Sequence, residues 1–202
     1  MNKVSKNIIK YLIEIVIVAF GVFMGVYFSN LNSNYKTEAE KKKALNLIIK
    51  ELELNRELVI KEITYHESIK TQFDTIKENT RDEIKNMSFS YDNLQNISKI
   101  NGFHGFNFAQ IETTAFESAK VSGIMKEFDV ELIQNISSIH KAQETYLKIG
   151  EKILDKAHKI NSNSRIYDFL AVLNLMTNDL LGIEKDLKKD LDHTIDLLKT
   201  SK

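Results

Sequence analysis

No proline interrupts the 202 residues of this chain, and there are only 7 glycines. Proline removes a backbone N–H and collides with the preceding helical turn, and proline and glycine together are the strongest markers of turns. A chain that lacks the first and is sparing of the second has few places to reverse direction. It is read as long helices joined by a small number of turns, an all-α chain.

The first of these helices is apolar on every side. Tyr11 to Phe28 reads YLIEIVIVAFGVFMGVYF, and with Leu31 the run covers 11–31, inside the roughly 17–25 residues that a bilayer-crossing helix needs. Lys3, Lys6 and Lys10 make 1–10 a basic N-terminal tail. A cleaved signal peptide has the same order of basic and apolar regions, but Tyr27 and Phe28 stand where small residues should precede a cleavage site. A buried core helix is the other alternative, and nothing else in the chain is apolar all round and able to surround it. The run is expected to be a transmembrane helix in contact with lipid.

One carboxylate sits inside it. Glu14, Val18, Gly21, Gly25 and Phe28 fall on one helical face. Gly21 and Gly25 form a small-xxx-small pair of the kind that lets helix backbones approach in lipid. Either this face is a seam for self-association or for another membrane protein, or Glu14 reaches the headgroup level beside Lys10, one turn before it.

The remaining residues, 35–202, read as a helical bundle domain. Leu45, Ile48, Leu52, Val59, Ile69, Phe73 and Ile76 recur at spacings of three and four, with Asn55, Glu62 and His66 in the skipped positions, so a coiled-coil-like helix is expected over 37–79. Only 30–34 separate it from the span, and the two can run on as one rod. A connector is expected over 80–107, with Met87, Phe89, Leu94, Ile97 and Ile100 as its apolar residues. A short helix follows over 108–122, ended by Gly123 as a left-handed cap. Asp129 is the expected N-cap of a helix over 129–160 with Leu132, Ile136, Ile139, Tyr146, Ile153 and Ile160 on its stripe. The turn NSNS reverses the chain into a last helix over 165–198, striped by Phe169, Leu173, Met176, Leu180, Ile183, Leu187 and Leu191. These stripes can be buried only against one another, in an antiparallel bundle.

Composition narrows function. The 28 basic and 28 acidic residues balance, which argues against a nucleic-acid partner. The absence of cysteine excludes disulfides and thiolate metal sites. No glycine-rich phosphate loop, Gly-x-Ser-x-Gly elbow or His-Glu-x-x-His is present, and no catalytic residue is expected. Glu62 and His66 lie one turn apart on one helix and His140 and Glu144 one turn apart on another, so these four could meet and hold a metal. The Glu-x-x-His spacing of di-iron bundles is missing and Glu144 lies off the stripe. They are expected as solvated charges and a histidine at the edge of the core, with no cofactor. Asp186, Asp190 and His193 likewise read as a solvated face. Phe103, His104, Phe106 and Phe108 are apolar and aromatic without a period; such a loop caps a bundle end or contacts a partner or ligand.

The basic tail, the anchor with its early glutamate and GVFMGVYFSNLN exit, and the segment ETTAFESAKVSGIMKEFDVELIQNISSIHKAQETY together resemble an uncharacterised family of short bacterial single-span membrane proteins with a C-terminal helical domain. Leu31 stands where that family carries tryptophan, leaving interfacial anchoring to Tyr27, Phe28 and Tyr35. The resemblance implies architecture only, and no functional residues; the chain is expected as a single-pass protein of a bacterial inner membrane. Lysines are nearly even across the span, with Lys36 and Lys41 to Lys43 opposing the tail, so charge does not set orientation. The short tail of a signal-anchor gives a cytoplasmic N-terminus and a periplasmic bundle. The expected role is a non-enzymatic scaffold or sensor subunit working by self-association or partner binding. The alternative is a membrane-tethered bundle that binds a ligand or metal.

Overall fold

The computed structural model describes residues 3–79, 81–90 and 100–200, with side chains from Tyr11 onward except at 12, 13 and 79. Leu94 and Ile97 of the connector, and the side chains of Lys3, Lys6 and Lys10, lie outside the described residues. The fold is all-α. Among the described residues the only bridge of β type is an isolated antiparallel pair, Ser88 and Arg165.

Helix α1, Lys3–Asn79, is unbroken over 77 residues, about 115 Å at 1.5 Å per residue. Its only glycines are Gly21 and Gly25, and the polar junction at 30–34 stays helical. Three zones follow one another along it. Ile15 to Phe28 is exposed except for the half-buried Met24, 63% at Ile15 and 59% at Phe28, and among the described residues nothing comes within 4 Å of a Cβ placed on Gly21 or Gly25. Residues 29–44 form a polar stalk. From Leu45 onward one face is buried: Leu45, Ile48, Leu52, Val59, Ile69 and Phe73 are core residues, with Ile76 half-buried.

Helix α5, Ile166–Thr200, lies antiparallel to α1, as four cross-links show: Lys199 with Glu53 at 2.7 Å, Asp192 with Arg56 at 3.4 Å, Lys185 with Glu67 at 2.7 Å and Asn174 with Lys77 at 3.1 Å. Its residues Leu175–Leu180 form a π-helical segment. The wider turn buries Met176 and Thr177 side by side, and the Thr177 hydroxyl donates to the Leu173 carbonyl at 2.8 Å. Helix α4, Val130–His158, precedes α5 through a tight turn. Asp129 takes the N-cap position in extended conformation, accepting from Ile133 N through its carbonyl at 3.0 Å but making no side-chain cap bond. At α5 the cap comes from the other direction, with Asp168 accepting from Arg165 N at 2.7 Å.

Among the described residues two helices are long and apolar enough to cross a membrane. The window in Glu14–Glu78 has mean hydropathy 1.8 and none of it is buried, whereas that in Ile166–Thr200 has 1.2 and is 44% buried. The second is the core helix of the bundle. The first has no protein to hide against, which supports a membrane protein.

Since α4 and α5 are also antiparallel neighbours, α1 and α4 point the same way, and the chain must travel back along α1 before α4 begins. It does so mostly in extended form. After the four-residue helix α2, Asp82–Lys85, the connector is pinned to the α4–α5 turn by Phe89 N donating to Ser164 O at 2.8 Å and Ile166 N to Met87 O at 3.0 Å. Residues 100–113 then run down α1. A backbone outside helix and sheet needs other partners, and side chains of the helices supply them. Gln72 brackets Asn101, accepting from its N–H at 2.7 Å and donating to its carbonyl at 3.0 Å. Asn55 does the same to Glu112, at 2.8 and 2.6 Å. Tyr65 donates to Gly105 O at 2.7 Å. Beyond the crossover, Glu51 accepts from Ala115 N at 2.5 Å and Phe116 N at 3.4 Å, capping α3, Thr114–Val121.

The helix expected over 108–122 therefore begins only at Thr114. The apolar residues that suggested an earlier start, Phe108, Ala109 and Ile111, are buried from an extended chain whose N–H groups are claimed by Tyr146 and Asn55. Gly123 takes the expected left-handed conformation, φ 77°, and leads into a 3-10 turn, Ile124–Glu127. On α4, Tyr146 and Ile153 are core residues as expected, while Leu147 is half-buried. Gly150 is buried for a specific reason: the Phe108 ring occupies the space where a Cβ would stand.

Two mutational results follow from this packing. Asn55→Ala leaves both backbone groups of Glu112 without partners and should cost roughly 1–3 kcal/mol in denaturant unfolding. Gly→Ala in an unhindered helix stabilises by up to about 1 kcal/mol, and Gly182, with nothing within 4 Å of its Cβ position, should show that gain. Gly150→Ala should instead destabilise by about 1–3 kcal/mol through collision with Phe108. Equal signs at the two positions would contradict the placement of the crossover.

Candidate functional site

The bundle core is not uniformly apolar. Asn55, His66, Gln143, Thr177, Glu184 and Thr194 are buried polar residues, and two of them, His66 and Glu184, form with Tyr146 one linked layer across all three long helices. His66 stands on α1 in the seam of that helix, Gln143 and Tyr146 one turn apart on α4, and Glu184 on α5 at the point where α1 and α4 both face it. His66 Nδ1 lies 2.8 Å from Glu184 Oε2, and the Tyr146 hydroxyl donates to Glu184 Oε1 at 3.2 Å. The same hydroxyl accepts from Ala109 N at 2.6 Å. With the Nδ1 proton on His66 set by that contact, donors run consistently from crossover to core: Ala109 to Tyr146, Tyr146 to Glu184, His66 to Glu184. His66, Tyr146 and Glu184 are each 0% exposed.

Burial governs the electrostatics. Loss of water raises the Glu184 carboxyl above its usual range, while the His66 and Tyr146 hydrogen bonds and the His66 charge pull it down and Glu62 adds to the rise. Burial also raises the Tyr146 phenol, reinforced by the Glu184 and Glu62 charges, so it remains a donor at any ordinary pH. Three atoms around this layer, Glu62 Oε2, His66 Nε2 and Gln143 Nε2, are buried without a hydrogen-bond partner among the described residues. In this conformation no solvent reaches the three linked side chains. The layer ties α1, α4, α5 and the crossover into one register.

The sequence-derived candidates fall in several separate places. Glu62 is half-buried, and His66 is a core residue rather than an edge one, bound to Glu184 on another helix. His140 stacks on Phe116 with ring centroids 3.8 Å apart and lies 3.5 Å from Glu117 and 3.4 Å from Glu144. The two pairs thus belong to separate contacts, and no group of three or more His, Asp or Glu placed to hold a metal occurs among the described residues. Asp186, Asp190 and His193 are exposed. In the aromatic loop His104 is exposed and Phe103 and Phe106 are half-buried. His104 stacks on Tyr65 at 4.0 Å, and Phe103 and Phe106 meet Phe169 edge-on at 6.0 and 5.6 Å. Phe108 is buried against Tyr146 and Gly150. In the apolar run, Glu14, Val18, Gly21, Gly25 and Phe28 are all exposed on one face of α1, before the part of that helix that packs in the bundle.

Glu184 and Gln143 were not singled out from sequence. Each sits at a core position of a regular three-and-four spacing, Leu180–Glu184–Leu187 and Ile139–Gln143–Tyr146. That spacing is the signal that could have found them.

No protein-family model, curated protein or solved structure matches this chain.

Two measurements test the layer. Tyr146→Phe strands Ala109 N–H and one Glu184 oxygen and should cost about 1–3 kcal/mol, with faster hydrogen exchange at Ala109. The pH effect has a definite sign. A carboxyl raised in the folded state stabilises below its ordinary value of 4.5, and that contribution is lost as pH rises through the folded-state value. Melting temperatures of Glu184→Gln should therefore improve relative to the unsubstituted protein as pH rises from about 4 to about 8. A pH-independent difference would mean that Glu184 titrates alike in folded and unfolded chains.

Proposed function

We propose that this chain is a single-pass membrane protein of the bacterial inner membrane, with a cytoplasmic N-terminus and a periplasmic bundle. It acts without catalysis, as a scaffold or sensor subunit whose state is set by association. The observation that carries this reading is the continuity of α1: one unbroken helix is both the exposed apolar segment and a core element of the bundle. A tether alone would need only a flexible linker. A helix shared by both parts makes rotation or axial shift in one felt in the other, and between Gly25 and Asn79 it contains neither glycine nor proline to absorb the motion.

Association is assigned to the face with Glu14, Val18, Gly21, Gly25 and Phe28. In lipid, apolar side chains alone give little drive to pair; close backbone approach at small residues and interhelical polar contacts supply it. Glu14 on the same face as the two glycines turns an intramembrane carboxylate toward a partner rather than toward acyl chains. Gly21→Ile with Gly25→Ile, and separately Glu14→Ala, should each reduce association of the span in a membrane two-hybrid assay. Loss of one interhelical polar contact, roughly 1–2 kcal/mol, corresponds to about five- to thirtyfold. Unchanged association in both variants would remove the seam and leave Glu14 to be explained by reach to the headgroups.

A further inference from the structure

At the end of the bundle farthest along α1 from the apolar run, the last turns of α1 and α4, the short α2 and the first turns of α5 enclose a cleft of about 460 Å³. Its floor is apolar, made by Phe73, Leu170, Ala171 and Leu175, with Tyr167 and Asn174 at the side. Its rim carries three lysines from three different helices: Lys77, Lys85 and Lys156. Among the described residues neither aspartate nor glutamate lines it. A second cleft of about 330 Å³ adjoins it, sharing Lys156, Ala171 and Leu175 and adding Lys159.

The charges do not cancel locally. Lys85 pairs with the exposed Asp82 at 2.9 Å, and Lys77 contacts the neutral Asn174 amide. Asp168, in the adjoining cleft, is committed to the Arg165 N–H at the start of α5. The C-terminal ends of α1 and α4 each bring about half a negative charge and the start of α5 about half a positive one. Against three ammonium groups and the Asp82 carboxylate, the described groups leave the mouth roughly one to two units of positive charge. Most ligand pockets occupy roughly 300–1,000 Å³ and combine apolar walls with a few convergent polar groups, and this cleft has both.

We infer that this cleft is a binding site for a small amphiphilic organic anion: a compact aromatic or short aliphatic body on the Phe73 and Leu170 floor, and a carboxylate or phosphate head among Lys77, Lys85 and Lys156. Tyr167, 60% exposed, lies at the edge where its ring can cover the bound body. The site stands on the bundle alone, so its test is separate from that of span association.

Full-length protein in lipid nanodiscs is titrated calorimetrically against empty nanodiscs, with four probes: naphthalene-2-carboxylate, 2-naphthyl phosphate, naphthalene-2-carboxamide and inorganic phosphate. At least one organic anion should bind with a dissociation constant of about 1 mM or tighter, and the stronger of the two identifies the head group. The neutral amide and inorganic phosphate should each bind at least about tenfold more weakly. Lys156→Glu and Lys77→Ala, both at exposed positions that leave the core untouched, should each weaken the preferred anion by at least about fivefold. Lys148→Ala, an exposed lysine away from the cleft, should leave it unchanged. Equal binding of the amide, binding of inorganic phosphate alone, indifference to both rim substitutions, or no binding by either organic anion would overturn the assignment.

Discussion

Two of the three long helices run in the same direction, and much of the structure follows from that. Parallel neighbours cannot be joined by a tight turn. The chain between α1 and α4 has to cover the length of the bundle in reverse, and it does so as an extended crossover with no sheet to complete its hydrogen bonds. The core helices are accordingly built with side chains that act as backbone partners. Gln72 and Asn55 each present an amide to both groups of one crossover residue, as a neighbouring strand would, and Tyr65 and Tyr146 take single positions between them. Phe108 sinks into the hollow at Gly150.

The same requirement explains why polar residues interrupt otherwise apolar stripes. A three-helix core of leucine and isoleucine can slide by a heptad at modest cost, because one apolar layer resembles the next. Asn55, His66, Tyr146 and Glu184 have partners only in the observed register. A slip leaves several of them buried and unpaired, at roughly 1–3 kcal/mol for each group and more for the Glu184 charge. The polar layer weakens the core as a source of burial energy and strengthens it as a specification of which residues face one another.

This division also marks what could be read from the sequence. Long apolar stripes and the lack of proline made the helices of α1, α4 and α5 legible, together with the turn between the last two and the left-handed Gly123. The crossover was not, because its buried residues, Phe108, Ala109 and Ile111, are apolar in the same way as a helix start. What distinguishes them is tertiary: side chains of Asn55 and Tyr146, decades of residues away, take the N–H groups that a helix would have used internally. On α5 the expected stripe runs through the apolar Ile183, although the spacing also continues through Glu184. Ile183 is half-buried and Glu184 fully so. The partner of the Glu184 carboxyl, His66, lies 118 positions earlier, so the pair leaves no local sign in the sequence.

The polar layer and the span meet in a single element. His66 is on α1, as are Asn55 and Glu51, and so is Glu14 about 50 residues away along the same helix, on the order of 75 Å. A side chain that holds the crossover, another that holds α5 and a face exposed in the apolar run therefore share one axis and one rotational phase. On an α-helix a shift of register by one residue turns every later side chain by about 100°, so α1 cannot rotate in the bundle without breaking the His66–Glu184 contact or the Asn55 bracket. Those contacts fix the direction in which the Glu14, Gly21 and Gly25 face points relative to the bundle, and two copies paired along that face would present their bundles in one defined mutual orientation. Polar pairing in the core and the orientation of the Glu14 face are in this way geometrically linked, with no glycine or proline between Gly25 and Asn79 to uncouple them.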